Sequence, residues 1–160
     1  MSIIESLRTF PLLANIKEEE LQVFAKKLKE EVFTKGTSIL KEGDTGDTMY
    51  LLIDGEVDVI KTTVFGEEFT CAKLKSDYHV LFGEIALIDS DKRSASIIAT
   101  TNCKCLSIDA ASFKEFCRMY PTAGVELLLM ICTNTVKNMR TENANLRLVY
   151  QALIDEIEEK

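Results

Sequence analysis

The spacing of apolar residues changes twice along the chain, and these changes constrain the fold more than any other feature. Near the N-terminus four apolar residues recur at helical spacing: Leu21, Phe24, Ala25 and Leu28. Asn15 precedes them with Glu18 three residues further on, which is the spacing of a helix cap. From residue 48 short alternating runs replace this spacing, and from Asp109 it is helical again. The order of helix, strands and helix predicts an α+β chain.

Several short strands are predicted in the middle of the chain. They are expected at residues 48–53, 56–61, 69–74, 94–100 and 103–108. The first two flank Asp54-Gly55, a dipeptide that favours a two-residue hairpin turn. A further turn is predicted at Phe65-Gly66-Glu67-Glu68. Short strands at this spacing indicate a sandwich, a roll or a small barrel.

The last third of the chain is predicted to be helical. One helix is expected at Ala111–Met119, stopped by Pro121. Beyond it, two series of residues repeat every seven positions: Val125, Cys132, Met139, Leu146 and Leu153, and Leu129, Val136, Asn143, Tyr150 and Ile157. These spacings fit the d and a positions of a coiled coil, where a single asparagine at an a position commonly fixes the register of a parallel dimer.

A homodimer through residues 121–157 is therefore expected. Glu142 and Arg147 fall at positions that allow an ion pair between the two chains. Residues 121–135 are apolar nearly all round, which also allows them to pack on the β core. Both arrangements can hold along one helix.

The segment 82–97 carries the residue types that bind a phosphate group. Gly83 has no Cβ, so a ligand can approach the backbone closely there. The turn at Glu84–Ile88 can direct backbone N–H groups at an anion, and Arg93 adds a permanent positive charge with a forked donor geometry. A carboxylate at residue 84 repels phosphate, but it can accept a hydrogen bond from a sugar hydroxyl. Phosphate and ribose together indicate a nucleotide.

The residues of this segment, FGEIAL at 82–87 and RSAS at 93–96, resemble the phosphate-binding cassette of the cyclic nucleotide-binding domain family. Residues 41–57 are similar to the first hairpin region of that family, and the likeness extends over roughly residues 10–140. The resemblance implies an α+β fold: an antiparallel, jelly-roll-like β-roll of about eight strands, with N-terminal helices and a long C-terminal helix. Residues 1–135 would form this domain, and residues 136–160 would extend its last helix as the coiled-coil segment.

The resemblance also implies a role for each residue of the cassette. Arg93 would bind the cyclic phosphate, Glu84 would accept from the ribose 2′-OH, and Ser94 would donate to the phosphate or the base. Backbone N–H groups of Gly83, Ile85 and Ala86 would complete the phosphate site. The small side chain of Ala95 would leave room for the ring. Taken alone, Glu84 could cap its own short helix and Arg93 could pair with it. Lys92 stands where many members have Pro or Arg, which leaves the phosphate ligand in place.

The identity of the base depends on fewer residues. The family often has Ala at the position of Ser94 in cyclic-AMP sites and Thr in cyclic-GMP sites, whereas the activator-type proteins have Ser. Cyclic AMP is therefore the expected ligand, with cyclic GMP as the alternative. In activator-type dimers the long helix supplies polar groups to adenine, and the matching residues are Asn138, Met139, Arg140 and Thr141.

Composition argues against several other classes of protein. The net charge of −7 is opposite to that of most nucleic-acid-binding proteins. No apolar run reaches the ~18 residues that a membrane span needs, and the first residues do not resemble a signal peptide. The five cysteines follow no metal-ligand spacing, although Cys103 and Cys105 would share one face of a strand. Reduced thiols and a cytoplasmic location are expected.

Catalysis finds little support in the sequence. The only histidine is His79, so a histidine-rich metal site is not expected, and neither are a metal or a cofactor. There is no Walker loop and no nucleophile elbow. Three hypotheses follow: a cyclic-nucleotide sensor that signals through its C-terminal helix to an unknown partner, a non-binding relic of the same fold that serves assembly, and a nucleotide-processing enzyme. The sequence favours the sensor.

Overall fold

The computed structural model describes residues 2–89 and 91–158 of the chain, apart from the side chain of Leu12. Its four α-helices are α1 (Ile3–Arg8), α2 (Glu18–Lys27), α3 (Ala110–Met119) and α4 (Pro121–Glu158). Its eight strands are β1 (Lys29–Phe33), β2 (Ser38–Leu40), β3 (Thr48–Asp54), β4 (Glu56–Thr62), β5 (Glu68–Lys75), β6 (Leu81–Phe82), β7 (Ser96–Ala99) and β8 (Cys103–Asp109). Three short 3-10 helices lie at Pro11–Leu13, Ser76–Tyr78 and Glu84–Leu87; the last is called the cassette helix below.

The strands form two four-stranded antiparallel sheets. The first has the order β1-β8-β3-β6, and the second has the order β2-β7-β4-β5. Between the sheets lies an apolar layer that includes Val57, Phe82 and Ile97, together with the buried thiols of Cys103 and Cys105. The antiparallel roll with eight strands, N-terminal helices and a long C-terminal helix is confirmed.

The hairpin predicted at Asp54-Gly55 is wrong. β3 pairs with β6 and β8 in the first sheet, whereas β4 pairs with β5 and β7 in the second. Gly55 has φ +96°, and a Cβ there would lie 2.5 Å from the carbonyl oxygen of Asn102. The dipeptide therefore forms a tight corner between sheets, because the chain must turn while it packs against the β7–β8 connection. The turn predicted after Phe65 does form the hairpin between β4 and β5.

The start of α2 differs from the one predicted from the sequence. Asn15 does not cap α2, because the cap residue is Lys17, and its side chain makes no capping hydrogen bond. An ion pair between Arg8 and Glu18 joins the end of α1 to the start of α2 instead. The predicted apolar face is confirmed, since Leu21 and Phe24 and their neighbours on that face are buried in the larger core.

The C-terminal helices cover one end of the roll. α3 begins after Asp109, whose side chain accepts from the backbone N–H of Ser112 at 2.9 Å. It ends at Met119, and Pro121 is then the first residue of α4, where its missing N–H costs nothing. The first part of α4 packs against the core through Ala123, Gly124, Leu127, Met130 and Ile131. Residues 121–135 thus pack on the larger core, where α4 contacts α3, the 3-10 helix at Pro11–Leu13 and the cassette helix more than any strand.

The heptad residues lie on the outside of the same helix. All of the large apolar members are exposed by 45% or more in the single chain. At ~100° per residue, the heptad face lies about opposite to the face that contains Leu127 and Ile131. Hence the contact of α4 with the roll leaves its heptad face uncovered.

Candidate functional site

The cassette helix follows β6 directly and depends on Gly83 for its direction. Gly83 has φ +74°, the left-handed region that glycine adopts without strain. A Cβ at this position would lie 2.9 Å from both Arg93 Nη1 and the carbonyl oxygen of Thr48. The cap residue of this helix is Gly83 itself, so no side chain caps it from that position. Gly83 therefore serves both the turn and the close approach of the arginine.

Arg93 holds three segments together from a buried position. Its Nη1 donates to the carbonyl oxygen of Gly83 at 3.0 Å, and its Nη2 donates to that of Thr48 at 2.9 Å. Its backbone N–H donates to the carbonyl oxygen of Asp44 at 2.8 Å, and its own carbonyl accepts from Gly43 at 2.9 Å. The guanidinium thus bridges the end of β6 and the start of β3, while its backbone is fixed to the loop before β3.

The charge of Arg93 is not neutralised by an ion pair within residues 2–89 and 91–158. The residue is only 8% exposed, and burial lowers the pKa of its guanidinium, while Tyr50 and Asp47 oppose that change. The expected alternative, an ion pair with Glu84, is not formed. A buried cation whose donors meet only carbonyl oxygens is suited to receive an anion.

Gly46 packs directly on this guanidinium. A Cβ at Gly46 would lie 2.6 Å from Arg93 Nη2 and 2.8 Å from its Nε, so a larger residue at this position would have to displace the guanidinium. Gly46 and Thr48 lie within residues 41–57, the region similar to the family's first hairpin, but the sequence assigned neither of them a role. Gly46 and Gly83 both pack against Arg93. This arrangement could not be recognised from the sequence, because the three residues lie in separate segments that only the fold brings together.

Glu84 is buried and is bound from α4. Only 4% of the residue is exposed, and its Oε1 accepts from Nδ2 of Asn134 at 2.7 Å. Burial raises the pKa of this carboxyl, whereas its own backbone N–H and Asn134 act in the opposite direction. Sequence reasoning missed Asn134. It does follow the apolar stripe of Leu127 and Ile131 at helical spacing, and a polar residue in such a stripe is the signal that could have revealed it.

The other predicted cassette residues lie around this pair. Ala86 is buried and anchors the cassette helix, whereas Ile85 on the same helix is 45% exposed. Ser94 is exposed and Ala95 is half-buried, and both lie in the bend between Arg93 and β7. The structure therefore brings the two charged residues and the glycine together and leaves the Ser94 hydroxyl at the surface.

The helix residues predicted to contact the base divide into two groups. An open cleft of about 440 Å³ runs along α4 and is lined by Cys132, Thr133, Val136, Lys137, Arg140 and Thr141. Arg140 and Thr141 thus line the cleft, whereas Asn138 and Met139 do not. Met139 is 57% exposed and belongs to the heptad face.

A second polar contact joins α4 to the roll further along the helix. Lys61 on β4 donates to Glu142 at 2.6 Å, which raises the pKa of Lys61. Glu142 therefore pairs within its own chain, and its pair with Arg147 of a second chain stays a prediction.

No group of three or more His, Cys, Asp or Glu side chains in the described part of the chain is placed to hold a metal ion. Among the described helices, none combines the length and the apolar character that crossing a bilayer requires.

Comparisons with known proteins agree with this geometry. A family model, the cyclic nucleotide-binding domain, matches residues 30–120. The chain is 41% identical over 116 residues to the cGMP-dependent protein kinase, isozyme 1, of Drosophila melanogaster, which covers 70% of this chain and 15% of that protein. It is 36% identical over 119 residues to the cAMP-dependent protein kinase regulatory subunit of Colletotrichum orbiculare, which covers 74% of this chain and 29% of that protein.

A solved structure shows the same likeness in three dimensions. The catabolite activator protein of Thermus thermophilus is similar with a TM-score of 0.72 and 26% identity, over 88% of this chain and 63% of that chain. The chain spans less than a third of the length of the two kinase-related proteins.

Proposed function

Because the chain belongs to the cyclic nucleotide-binding domain family, we propose that it binds cyclic AMP and transmits the occupancy of its site through α4. The observation that carries the proposal is the buried Arg93 guanidinium, which faces carbonyl oxygens and has no carboxylate partner among the described residues. A regulatory, non-catalytic role fits the family, and the negative net charge argues against direct contact with nucleic acid.

The cassette residues have complementary roles in this proposal. The phosphate is bound by Arg93 and by backbone N–H groups of Gly83, Ile85 and Ala86. The ribose 2′-OH donates to Glu84, the acceptor that a buried carboxylate provides. Ser94 and Ala95 face the ligand from the bend after Arg93, with the Ser94 hydroxyl exposed and therefore free to rotate toward it.

The base contacts favour cyclic AMP, with cyclic GMP as the second candidate. Ser94 and a helix that carries Asn138, Arg140 and Thr141 offer polar groups to adenine. The specific observation in favour of cyclic GMP is the 41% identity to a protein named as a cGMP-dependent kinase. The Ser94 hydroxyl is also a suitable acceptor for a guanine amino group.

Calorimetry with cyclic AMP, cyclic GMP and 5′-AMP tests the proposal. Arg93→Ala is expected to weaken binding of the preferred cyclic nucleotide by about 2–5 kcal/mol, the cost of leaving a bound charge unpaired. Lys92→Ala is the matched control, because Lys92 is a neighbouring cation that is exposed. Equal affinities of the two variants would refute the phosphate assignment. Binding of 5′-AMP as tightly as the cyclic species would refute the ligand class.

A homodimer through α4 is the second part of the proposal. The exposed heptad face supports it, because a helix of 38 residues with a continuous apolar stripe buries that stripe best against a second copy. Asn143 within the stripe favours a parallel, in-register pair. Since the opposite face of α4 contacts the roll, a dimer could form without displacing the helix. Ligand-dependent movement of α4 would then reach the partner chain.

Two measurements test the dimer. Sedimentation of a chain that ends at Thr141 should show monomers where the full chain shows dimers, and dimers of the shortened chain would exclude the zipper. Cys132 lies at a d position and is exposed, so mild oxidation should link two full chains through it. Cys132→Ser is the control that must abolish this link, because a link that persists would indicate a different interface.

A further inference from the structure

The hydrogen bond between Asn134 and Glu84 joins the long helix to the residue proposed to recognise ribose. We infer that Asn134 is a positioning residue for the nucleotide sugar, and that recognition of the 2′-OH requires α4 to be docked on the roll. This inference rests on the proposed function, since it concerns the same ligand. It adds a residue outside the cassette and assigns it one task, to hold the Glu84 carboxylate as an acceptor.

The Glu84 carboxylate lies in a buried environment. The residue is 4% exposed, so its carboxylate depends on protein donors in place of water. Within the described ranges, Asn134 is the one side chain that donates to it, at 2.7 Å. Without this donor, a buried carboxylate would be left with its own backbone N–H. Asn134 therefore favours the charged, accepting form of Glu84.

Asn134 follows a buried stretch of α4 on the same face of the helix. The preceding residues on the same face of the helix are Leu127, Met130 and Ile131, all of which are buried in the core. Their packing fixes the rotation and the height of the helix, and this places the Asn134 amide against the cassette helix. The bond to Glu84 therefore forms only when α4 is docked.

The number of hydrogen bonds that the Glu84 carboxylate can accept decides whether Asn134 supports or hinders ribose binding. An ionised carboxylate has about four lone-pair positions, and Asn134 uses one of them on Oε1. Asn134 and a ribose hydroxyl can thus bind the same carboxylate together. Asn134 supports ribose binding in this arrangement, because it orients the carboxylate before the ligand arrives.

The test compares two ligands that differ in one hydroxyl. Binding of cyclic AMP and of 2′-deoxy cyclic AMP is measured by calorimetry for the full chain and for Asn134→Ala and Asn134→Leu. Leucine has a branched shape similar to that of asparagine but no hydrogen-bond donor and no charge, so Asn134→Leu separates donation from packing. Asn145→Ala is the matched control, since Asn145 is an exposed asparagine on the same helix.

Both Asn134 variants are expected to bind cyclic AMP about tenfold more weakly, which corresponds to about 1.4 kcal/mol. Their affinity for the 2′-deoxy ligand should change by less than about twofold, because that ligand cannot donate to Glu84. Asn145→Ala should match the unaltered chain with both ligands.

Three results would overturn the inference. Equal losses for both ligands would mean that Asn134 only supports the fold, and tighter binding of cyclic AMP would mean that it competes with the ribose. A loss for Asn134→Ala that Asn134→Leu restores would mean that packing, not donation, is what matters. If the unaltered chain binds neither ligand, the proposed function itself fails, and the inference fails with it.

Discussion

Replacing Gly46 with alanine is expected to displace Arg93 without altering the arginine itself. The added Cβ would lie 2.6 Å from Nη2, 2.8 Å from Nε and 3.0 Å from Cζ of Arg93. Gly46 is not among the glycines with a positive φ angle, so alanine brings no backbone strain. The effect of the substitution is therefore confined to the guanidinium that it contacts.

The size of the effect follows from these distances. Ordinary contact begins near 3.4 Å, so the guanidinium must withdraw by about 0.8 Å. Its Nη2 donates to the carbonyl oxygen of Thr48 at 2.9 Å, and this bond is lost when its length exceeds about 3.5 Å. A hydrogen bond from a charged donor contributes about 1.5–3 kcal/mol, whereas Gly→Ala alone stabilises by about 0.4–1 kcal/mol. The free energy of unfolding should fall by about 1–2 kcal/mol.

The assay combines urea unfolding with calorimetry. Gly46→Ala should also weaken binding of the cyclic nucleotide by about tenfold or more, because the phosphate then meets a displaced cation. Gly66→Ala is the control: Gly66 has φ +86° and no atom within 4 Å of a built Cβ. It should lower stability by about 1–2 kcal/mol through strain and leave the affinity unchanged.

Two results would refute this reasoning. If Gly46→Ala binds the nucleotide as tightly as the unaltered chain, the position of Arg93 does not matter for binding. If both glycine variants lose affinity to the same extent, the loss reflects general instability and not the arginine.

Three further predictions concern the charge, the core and the thiols. Glu84→Gln should weaken nucleotide binding and raise the free energy of unfolding at pH 7, because burial raises the pKa of Glu84 and its charged form therefore lowers stability above that pKa. Urea unfolding should show this gain shrinking as the pH falls through the raised pKa, and a gain that grows would contradict the assignment. Leu127→Ala should lower stability by about 2–5 kcal/mol, since this fully buried side chain anchors α4; a loss under 1 kcal/mol would show that α4 is not tightly docked. Burial raises the pKa of Cys105 to about 12, so alkylation at pH 8 should modify the exposed Cys132 and spare Cys105 in the folded chain, as mass spectrometry can verify.

The fold class could be predicted because it depends on local spacing. The predicted strands match β3, β4, β5, β7 and β8 closely, since alternation and turn residues act over a few positions. The pairing of these strands could not be predicted in the same way. Asp54-Gly55 suits a hairpin, but it forms a corner, because the neighbours of β3 are β6 and β8. Which strands pair is decided by contacts between residues far apart in the chain.

For α4, too, the spacing of residues predicted local features, whereas their relation in space came from the structure. Heptad spacing and the apolar surroundings of residues 121–135 each indicated one face of the helix. The structure adds that these faces are about opposite, so that contact with the roll and an exposed stripe coexist. The predicted cap at Asn15 failed for a local reason, since the helix begins at Glu18 and its first residue pairs with Arg8.

The residues of the site can be read from the chain alone: a glycine, an acid and an arginine at family spacing in residues 83–93. The partners of these residues depend on how the chain packs. Arg93 does not pair with Glu84; it binds the carbonyl oxygens of Gly83 and Thr48 under Gly46. Glu84 receives its hydrogen bond from Asn134, which lies fifty residues further along the chain. A buried charge forms its hydrogen bonds with the groups that packing brings near it. The distance in space between these groups cannot be read from their spacing in the sequence.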